Sequence, residues 1–376
     1  MNKVMRRISG EFYQILNKEN GRKYWSFFPN KLTSIVSDFK MDVELVHLLT
    51  RTHRLLGILE GTVRSQPDIE SFLRLGLFYE AQKSCAIDGI KADIEGLFLP
   101  LKRTEEDLAA GNYYRAVGNL KKEPVTIKAL CKIHKTVMEG ITRNRCGRIR
   151  ESAFFMHPQY TSASAEYNPP PPEQISWLLE DVERFIQMET EMDALVKAAM
   201  AYYQFETIHP FECGNGRVGR ILVLSMLMNE DIICHPFLPV SDVLLRGQDE
   251  CFRQFIGMQH FGEFSEWIRF FVNGIALSAE NALGQIKAAN RLRQMEMEKI
   301  HSYKKTTGTL GHLYAFVEEN PVINIEQAAK GLGIAYNTAA KYIEILQGLG
   351  ILKKSKEQLR NRLYYYDRLL RIFQLL

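Results

Sequence analysis

The residues best equipped for chemistry in this chain lie in one run, His209-Pro-Phe-Glu-Cys-Gly-Asn-Gly-Arg-Val-Gly-Arg220. A glycine-rich turn that opens a helix points successive backbone N–H groups at one spot, with the positive end of the helix dipole behind them. Such a spot binds anions, phosphate above all. Gly214, Asn215 and Gly216 supply the turn, and Val218 and Gly219 carry it into the first helical turn. Arg217 and Arg220, three apart, fall on one side of that turn and bring charges that are not deprotonated. His209 stands at the rim, with an imidazole able to exchange a proton near neutral pH. Phe211 is the apolar anchor of the loop and Pro210 stiffens it. The chemistry implied is a phosphate held at a helix start with a base beside it.

Two segments must position this run. Residues 195–207 read as a buried helix rich in Ala, Tyr and Phe, and residues 218–228 are almost wholly apolar, with Arg220 the lone charge near their start. Helical spacing of apolar residues also marks 42–63 and 69–87, with Phe72, Leu75, Phe78 and Tyr79 on one stripe of the second and Gly89 as its stop. Residues 126–140 form another helix, in which His134 reads as a satisfied core histidine. Gly147 to Met156 reads as a strand, with Arg148 and Arg150 solubilising its edge. Residues 157–168 are turn-like, and the prolines up to Pro172 precede a helix starting near Glu173. After the motif, helices are expected from Asp249 and over 264–271, then a long charged connector over 275–303.

Bulk properties narrow the function classes. The chain has 376 residues, 46% apolar and 24% charged, as in a soluble globular protein of two or three domains. Net charge is +4, but the region from Pro321 to Leu376 alone carries nine Lys/Arg against four Asp/Glu. The six cysteines are scattered without a Cys-x-x-Cys pair, which speaks against a zinc site and a disulfide scaffold. The basic N-terminus lacks a following apolar stretch, so no signal peptide is expected. No run reaches membrane-spanning length, so no membrane partner is expected. A reducing, cytoplasmic setting is the simplest expectation.

The spacing His-Pro-Phe-x-x-Gly-Asn-Gly-Arg-x-x-Arg resembles the signature of the Fic (Fido) family. A helix-capping loop with a core histidine is the plainer alternative, set aside because the histidine, the glycines and both arginines fall at family spacing. The resemblance implies a mainly α fold: a Fic-type helical bundle with a β-hairpin flap. It also implies transfer of AMP from ATP to a Ser, Thr or Tyr hydroxyl of a protein target, or of the protein itself. UMP or another phosphate-linked group is the variant of that reaction. His209 would be the catalytic base. Residues 214–216 would cradle the α-phosphate, the Asn215 side chain adding a bond, and Arg217 and Arg220 would take the leaving phosphates. In the family an upstream helix carries Ser/Thr, three residues, then Glu, which blocks ATP orientation by pairing with the second arginine. Ser84 and Asp88 fall at those places, Asp88 shorter by one methylene, so that a direct pair with Arg220 is expected to be strained or water-bridged.

The family's magnesium carboxylate position is occupied here by Cys213, with Glu212 as a neighbouring carboxylate. Mg²⁺ is therefore expected with a weakened site, since a thiol is a poor ligand for it. The nucleotide-holding aromatics of the family are matched by Cys251, Phe252 and Phe264. Residues 147–168 would be the flap, holding a target segment by strand pairing.

The domain layout expected is an arm over 1–40, a Fic core over 41–275 with the inhibitory helix near 69–89, a connecting helix over 276–307, and a last domain over 308–376. That last domain looks like a winged helix-turn-helix, with Gly333 at the tight turn. Asn337, Thr338 and Lys341 would lie on an outward recognition face, and Lys353, Lys354, Arg360 and Arg362 on a wing. Its partners would be DNA or a second copy of the chain. The competing function is therefore a DNA-binding regulator with a degenerate, nucleotide-binding Fic core.

Overall fold

The computed structural model describes residues 6–7, 9–16, 21, 23–36, 39–66, 69–99, 104–142, 145–154, 168–262, 264–303, 308–355 and 362–375. They form a mainly α-helical body built around two antiparallel-connected helices, Ala194–Ile208 and Asn215–Asn229, nearly all of whose residues are buried. A helix apolar on every side can only sit inside others. Around this pair pack Ile69–Ile87, Glu105–Gly118, Ile127–Val137, Pro172–Gln187 and Phe264–Ser302. The six-residue loop joining the central pair is therefore held among packed helices, and it is the His209–Gly214 part of the motif.

Local signals set the helix ends. The Asp193 side chain caps Ala194–Ile208 by accepting from the Leu195 N–H, and it also bonds His53 at 2.8 Å. Ile69–Ile87 stops at Gly89, whose N–H reaches the Ala86 carbonyl at 3.0 Å while Ile90 N–H reaches that of Cys85. This turn brings Asp88 against the motif helix.

Three expectations change. Phe264–Ser302 is one continuous helix of 39 residues, so no boundary between core and connector exists at 275. Its charged look hides a buried stripe that includes Ile275, Ala279, Ala282 and Ile286. The first forty residues contain a three-stranded antiparallel sheet, Arg6–Arg7, Gly10–Leu16 and Lys23–Pro29. Its last strand bonds the Asn168 carbonyl through Phe27 N–H at 2.9 Å, and Asn168 donates back to Trp25. Finally, residues 145–154 contain no strand. Arg150 is buried with its N–H on the Pro210 carbonyl, so this stretch is fastened to the motif loop and presents no edge there. The rest of the expected flap, 155–167, lies outside the described residues, as does Arg360.

The C-terminal part has helices Gly308–Glu319, Ile325–Leu332 and Tyr336–Gly348, a small sheet of Val322–Ile323, Tyr364–Tyr365 and Lys353–Lys354, and a last helix Asp367–Ile372. Gly333, at φ 63°, makes the turn after the second helix. Its buried side chains join the apolar core of the rest of the chain, with Phe373 facing Phe72 and Tyr79 donating to Gln374. Among the described residues no helix is long and apolar enough to cross a membrane.

Candidate functional site

The loop is shaped by two left-handed residues. His209 ends one central helix at φ 49°, its N–H on the Phe205 carbonyl, and Gly214 opens the next at φ 74°. At Gly214 a Cβ would lie 2.7 Å from the Met138 sulfur, so both the conformation and the space call for glycine. Asn215 behaves differently from expectation. Its Oδ1 accepts from Phe211 N–H and its Nδ2 donates to the Phe211 carbonyl, both at 2.8 Å. The side chain thus closes the loop on itself, and its expected bond to a phosphate gives way to that role. Phe211 is buried and stacks flat on the His134 ring at 3.9 Å.

His134 is more than a core histidine. Its Nδ1 accepts from Gly147 N–H at 2.8 Å, which leaves Nε2 protonated to donate to the Cys213 carbonyl at 3.1 Å. Burial pushes its pKa down to about 4, so it stays neutral and keeps this pairing.

At the basic end, Arg217 and Arg220 are both buried. Arg220 donates to Ser84 twice, through Nε to Oγ at 2.7 Å and through a terminal nitrogen to the carbonyl at 2.8 Å. Asp88 lies between the arginines. One oxygen accepts from Arg217 Nε at 2.8 Å and the other pairs with Arg220 at 3.3 Å. The contact with Arg220 is direct, and the shorter bond goes to Arg217, because a carboxylate one methylene shorter than Glu stops between the two. A second Arg217 nitrogen is buried with no hydrogen-bond partner. Behind them, Glu206 Oε1 is buried and unbonded, and it sits where a Gly219 side chain would start, 2.3 Å from the ideal Cβ. Burial pushes the Glu206 carboxyl up to about 7 against the pull of Arg220. Glu80, fully enclosed by Tyr113 and Ser241, is likewise pushed up to about 7 by burial.

His209 is half-buried under the Phe154 ring, 4.4 Å away. Burial first, and the nearby Arg150 guanidinium second, push its pKa down to about 4. The imidazole is therefore neutral at pH 7 and free to accept a proton.

The donors around Cys213 do not suit Mg²⁺. Burial raises the Cys213 pKa, which keeps the thiol protonated. Glu212 is ion-paired to Arg145, and Asp88 to the two motif arginines. Among the described residues there is no group of three or more His, Cys, Asp or Glu that could hold a metal. A hard cation that prefers several oxygens finds no ready-made cluster of them around Cys213 among the described residues. Of the three residues expected to hold a nucleotide ring, Phe264 is in the core against Tyr203, while burial pushes the Cys251 thiol up to about 12 beside Glu206.

A buried, two-arginine anion pocket at the start of a helix, with a neutral histidine one loop away, spans the part of the chain that matches a known family. Residues 124–227 match the model of the Fic/DOC family. Through this segment the chain is similar to the Fic/DOC family. It is related at low identity to protein adenylyltransferases. A probable protein adenylyltransferase of Aquifex aeolicus is 23% identical over 318 residues, covering 77% of this chain and 85% of that one. The protein adenylyltransferase Fic of Culex quinquefasciatus is 28% identical over 172 residues, 45% of this chain and 30% of its own length, and that of Drosophila ananassae is 25% identical over 156 residues, 41% and 28%. The chain thus spans under a third of these insect relatives. In fold, a Fic family protein of Desulfovibrio desulfuricans superposes with a TM-score of 0.57 at 17% identity, over 87% of this chain and 97% of that one. The Fic-1 structure from C. elegans gives 0.50 at 19%, over 68% and 76%.

Around this matched segment the fold brings together His209, Phe211, the 214–220 run, Ser84 and Asp88, and turns Glu212 away to Arg145. Sequence reasoning missed Arg150, Glu206 and the bracing role of His134. Only Gly147, just ahead of Arg150, carried a local signal.

Proposed function

We propose that this protein transfers AMP from ATP to a hydroxyl side chain of a protein target, or of itself, and that Ser84 and Asp88 restrain it. The observation that carries this reading is the Asp88 carboxylate held between Arg217 and Arg220 at the start of a helix. A carboxylate bound there supports reading the place as an anion site that a phosphate chain could take.

In the reaction, the N–H groups at the start of the motif helix would hold the α-phosphate. The target oxygen attacks the α-phosphorus while the bond to the bridging oxygen of pyrophosphate breaks. His209 takes the hydroxyl proton, and Arg217 and Arg220 stabilise the departing pyrophosphate. A pKa of about 4 makes His209 a weak base when the site is empty of phosphate. The negative charge of a bound nucleotide would raise it toward the working range. Asp88 occupies the ground of the outer phosphates, so it must withdraw before ATP is seated in this way. No step is assigned to Mg²⁺, because the residues around Cys213 do not form its site.

The test is incubation of the full chain with radiolabelled ATP and measurement of the mass added to it. An increment of one AMP on a hydroxyl residue is expected; absence of label on the protein and on a lysate would exclude the reading. A second reading, a DNA-binding regulator with a nucleotide-sensing core, draws on Cys213 and on the exposed Asn337, Lys341, Lys354 and Arg362. Against it, Lys353 and Arg371 pair with Asp367, and Arg368 with Glu296, so part of the local positive charge is neutralised internally. A salt-dependent DNA mobility shift would favour this second reading.

A further inference from the structure

The buried guanidinium of Arg150 is the least expected group near the site. Its side chain is 3% exposed, and the partners it makes are all backbone carbonyls. Nε donates to His209 O at 2.7 Å, one terminal nitrogen to Ser152 O at 2.9 Å, and the other to Pro170 O at 2.5 Å and Ile208 O at 3.3 Å. Its own N–H donates to Pro210 O at 2.9 Å. The three successive carbonyls of Ile208, His209 and Pro210 are thus all held by one residue. His209 between them is in the left-handed region, which disfavours a non-glycine residue and persists only where neighbours enforce it.

Two consequences follow. The geometry fixes the peptide planes on both sides of His209, and so the direction in which its side chain leaves the chain. A guanidinium satisfied by carbonyls keeps its positive charge uncancelled beside the imidazole. Burial lowers the Arg150 pKa only to about 10, so the charge persists at neutral pH. The other groups facing the ring are few. Asp88, at the end of the Ile69–Ile87 helix, and the Glu206 backbone carbonyl favour the protonated ring, while Phe154 adds only an apolar cover. Arg150 is the nearby charge that opposes protonation.

We propose that Arg150 is the positioning residue of the His209 base: it enforces the backbone turn that aims the imidazole at the phosphate site, and its like charge keeps that imidazole unprotonated until the negative charge of a bound phosphate offsets it. This rests on the reading of His209 as the proton acceptor.

The experiment pairs an NMR titration of His209 in the full chain, which needs no activity, with transfer kinetics, in Arg150→Met and Arg150→Lys. In Arg150→Met the His209 titration should move up by about one pH unit. The acid limb of the transfer pH profile should move with it, and kcat should fall about 100-fold with little change in KM for ATP. In Arg150→Lys, which keeps the charge but not the fork of donors, the titration should stay low while kcat still falls. An unchanged His209 titration in a folded Arg150→Met protein would overturn the electrostatic half. A fall in transfer through KM alone, or full kcat in Arg150→Lys, would overturn the positioning half. Should Arg150→Met not fold, Arg150→Gln takes its place and is held to the same titration and kinetic outcomes, while Arg150→Lys decides the positioning half. If the unsubstituted chain transfers nothing, the titration still decides the effect of Arg150 on the ring, and the failure belongs to the proposed reaction.

Discussion

The two ends of the motif are held by different kinds of contact. At the basic end, Arg217 and Arg220 are gripped by side chains of another helix, Ser84 and Asp88, in ion pairs that an incoming anion can replace. At the histidine end, Arg150 and His134 grip backbone carbonyls of the loop, groups that no ligand competes for. One end is exchangeable and the other permanent. On the proposed reading, the difference teaches that the site is preorganised where a proton would move and occupied where a phosphate would enter. A charge-assisted pair between side chains is strong but replaceable in kind, whereas a bond to a backbone carbonyl is part of the fold.

The sharpest way to break the comparison is His209→Ala. Transfer should fall by at least about 100-fold, while binding of ATP by isothermal calorimetry stays within a few-fold, because the basic end is untouched. Loss of binding instead of transfer would show that the two ends are not separable. Next in size, Asp88→Gly should vacate the exchangeable end and increase self-modification with labelled ATP by about tenfold, the scale of one charge-assisted hydrogen bond. A flat response would make Asp88 an ordinary structural partner of the arginines.

Cys213→Asp tests the seam between the ends. It puts a hard oxygen where burial now holds a neutral thiol. Mg²⁺-dependent transfer should rise several-fold, and unchanged dependence on Mg²⁺ would mean that no carboxylate is missed there.

The smallest effect is on stability against pH. His134 and His209 have folded pKa values near 4, below the ordinary histidine value, so the unfolded chain binds their protons more tightly. Their contribution is intact above pH 6.5 and is lost as pH falls toward 4. Glu80 and Glu206, raised to about 7, have the opposite sign: theirs is intact below about 4.5 and lost as pH rises through 7. The two tendencies offset, so Tm should change little between pH 5 and 7. Glu206→Gln removes one of the raised carboxyls and should tilt the curve, with Tm rising from pH 5 to 7. A variant curve parallel to that of the parent protein would show Glu206 to be ionised in the folded state.

Much of the helical fold could be read from spacing. The 69–87 helix with its Gly89 stop, the central pair and the 172–187 helix all announce themselves through apolar period, caps and proline. The N-terminal sheet did not, because Lys23–Pro29 is buried irregularly and lacks the alternation that marks a half-buried strand. The strand read at 147–156 failed over its described part, 147–154, for a related reason. Its β-prone residues surround an arginine that the loop buries, and no local pattern distinguishes a buried arginine from one that solubilises an edge.

By itself the sequence determined the glycine-rich turn and its two arginines, since a glycine-rich helix start and arginines three apart are local geometry that the chain carries wherever it folds. It also placed Ser84 and Asp88 one helical turn apart at the end of a helix. Only the tertiary structure decided what those groups meet. Asp88 and Arg217 are 129 residues apart, Ser84 and Arg220 136, and Arg150 and His209 59. Contacts at such separations follow from how the helices pack around the buried pair. The same packing turned Asn215 inward, took Glu212 to Arg145 and brought the buried Arg150 beside His209. Spacing along the chain fixes which groups can act, and burial fixes their charge and their partners.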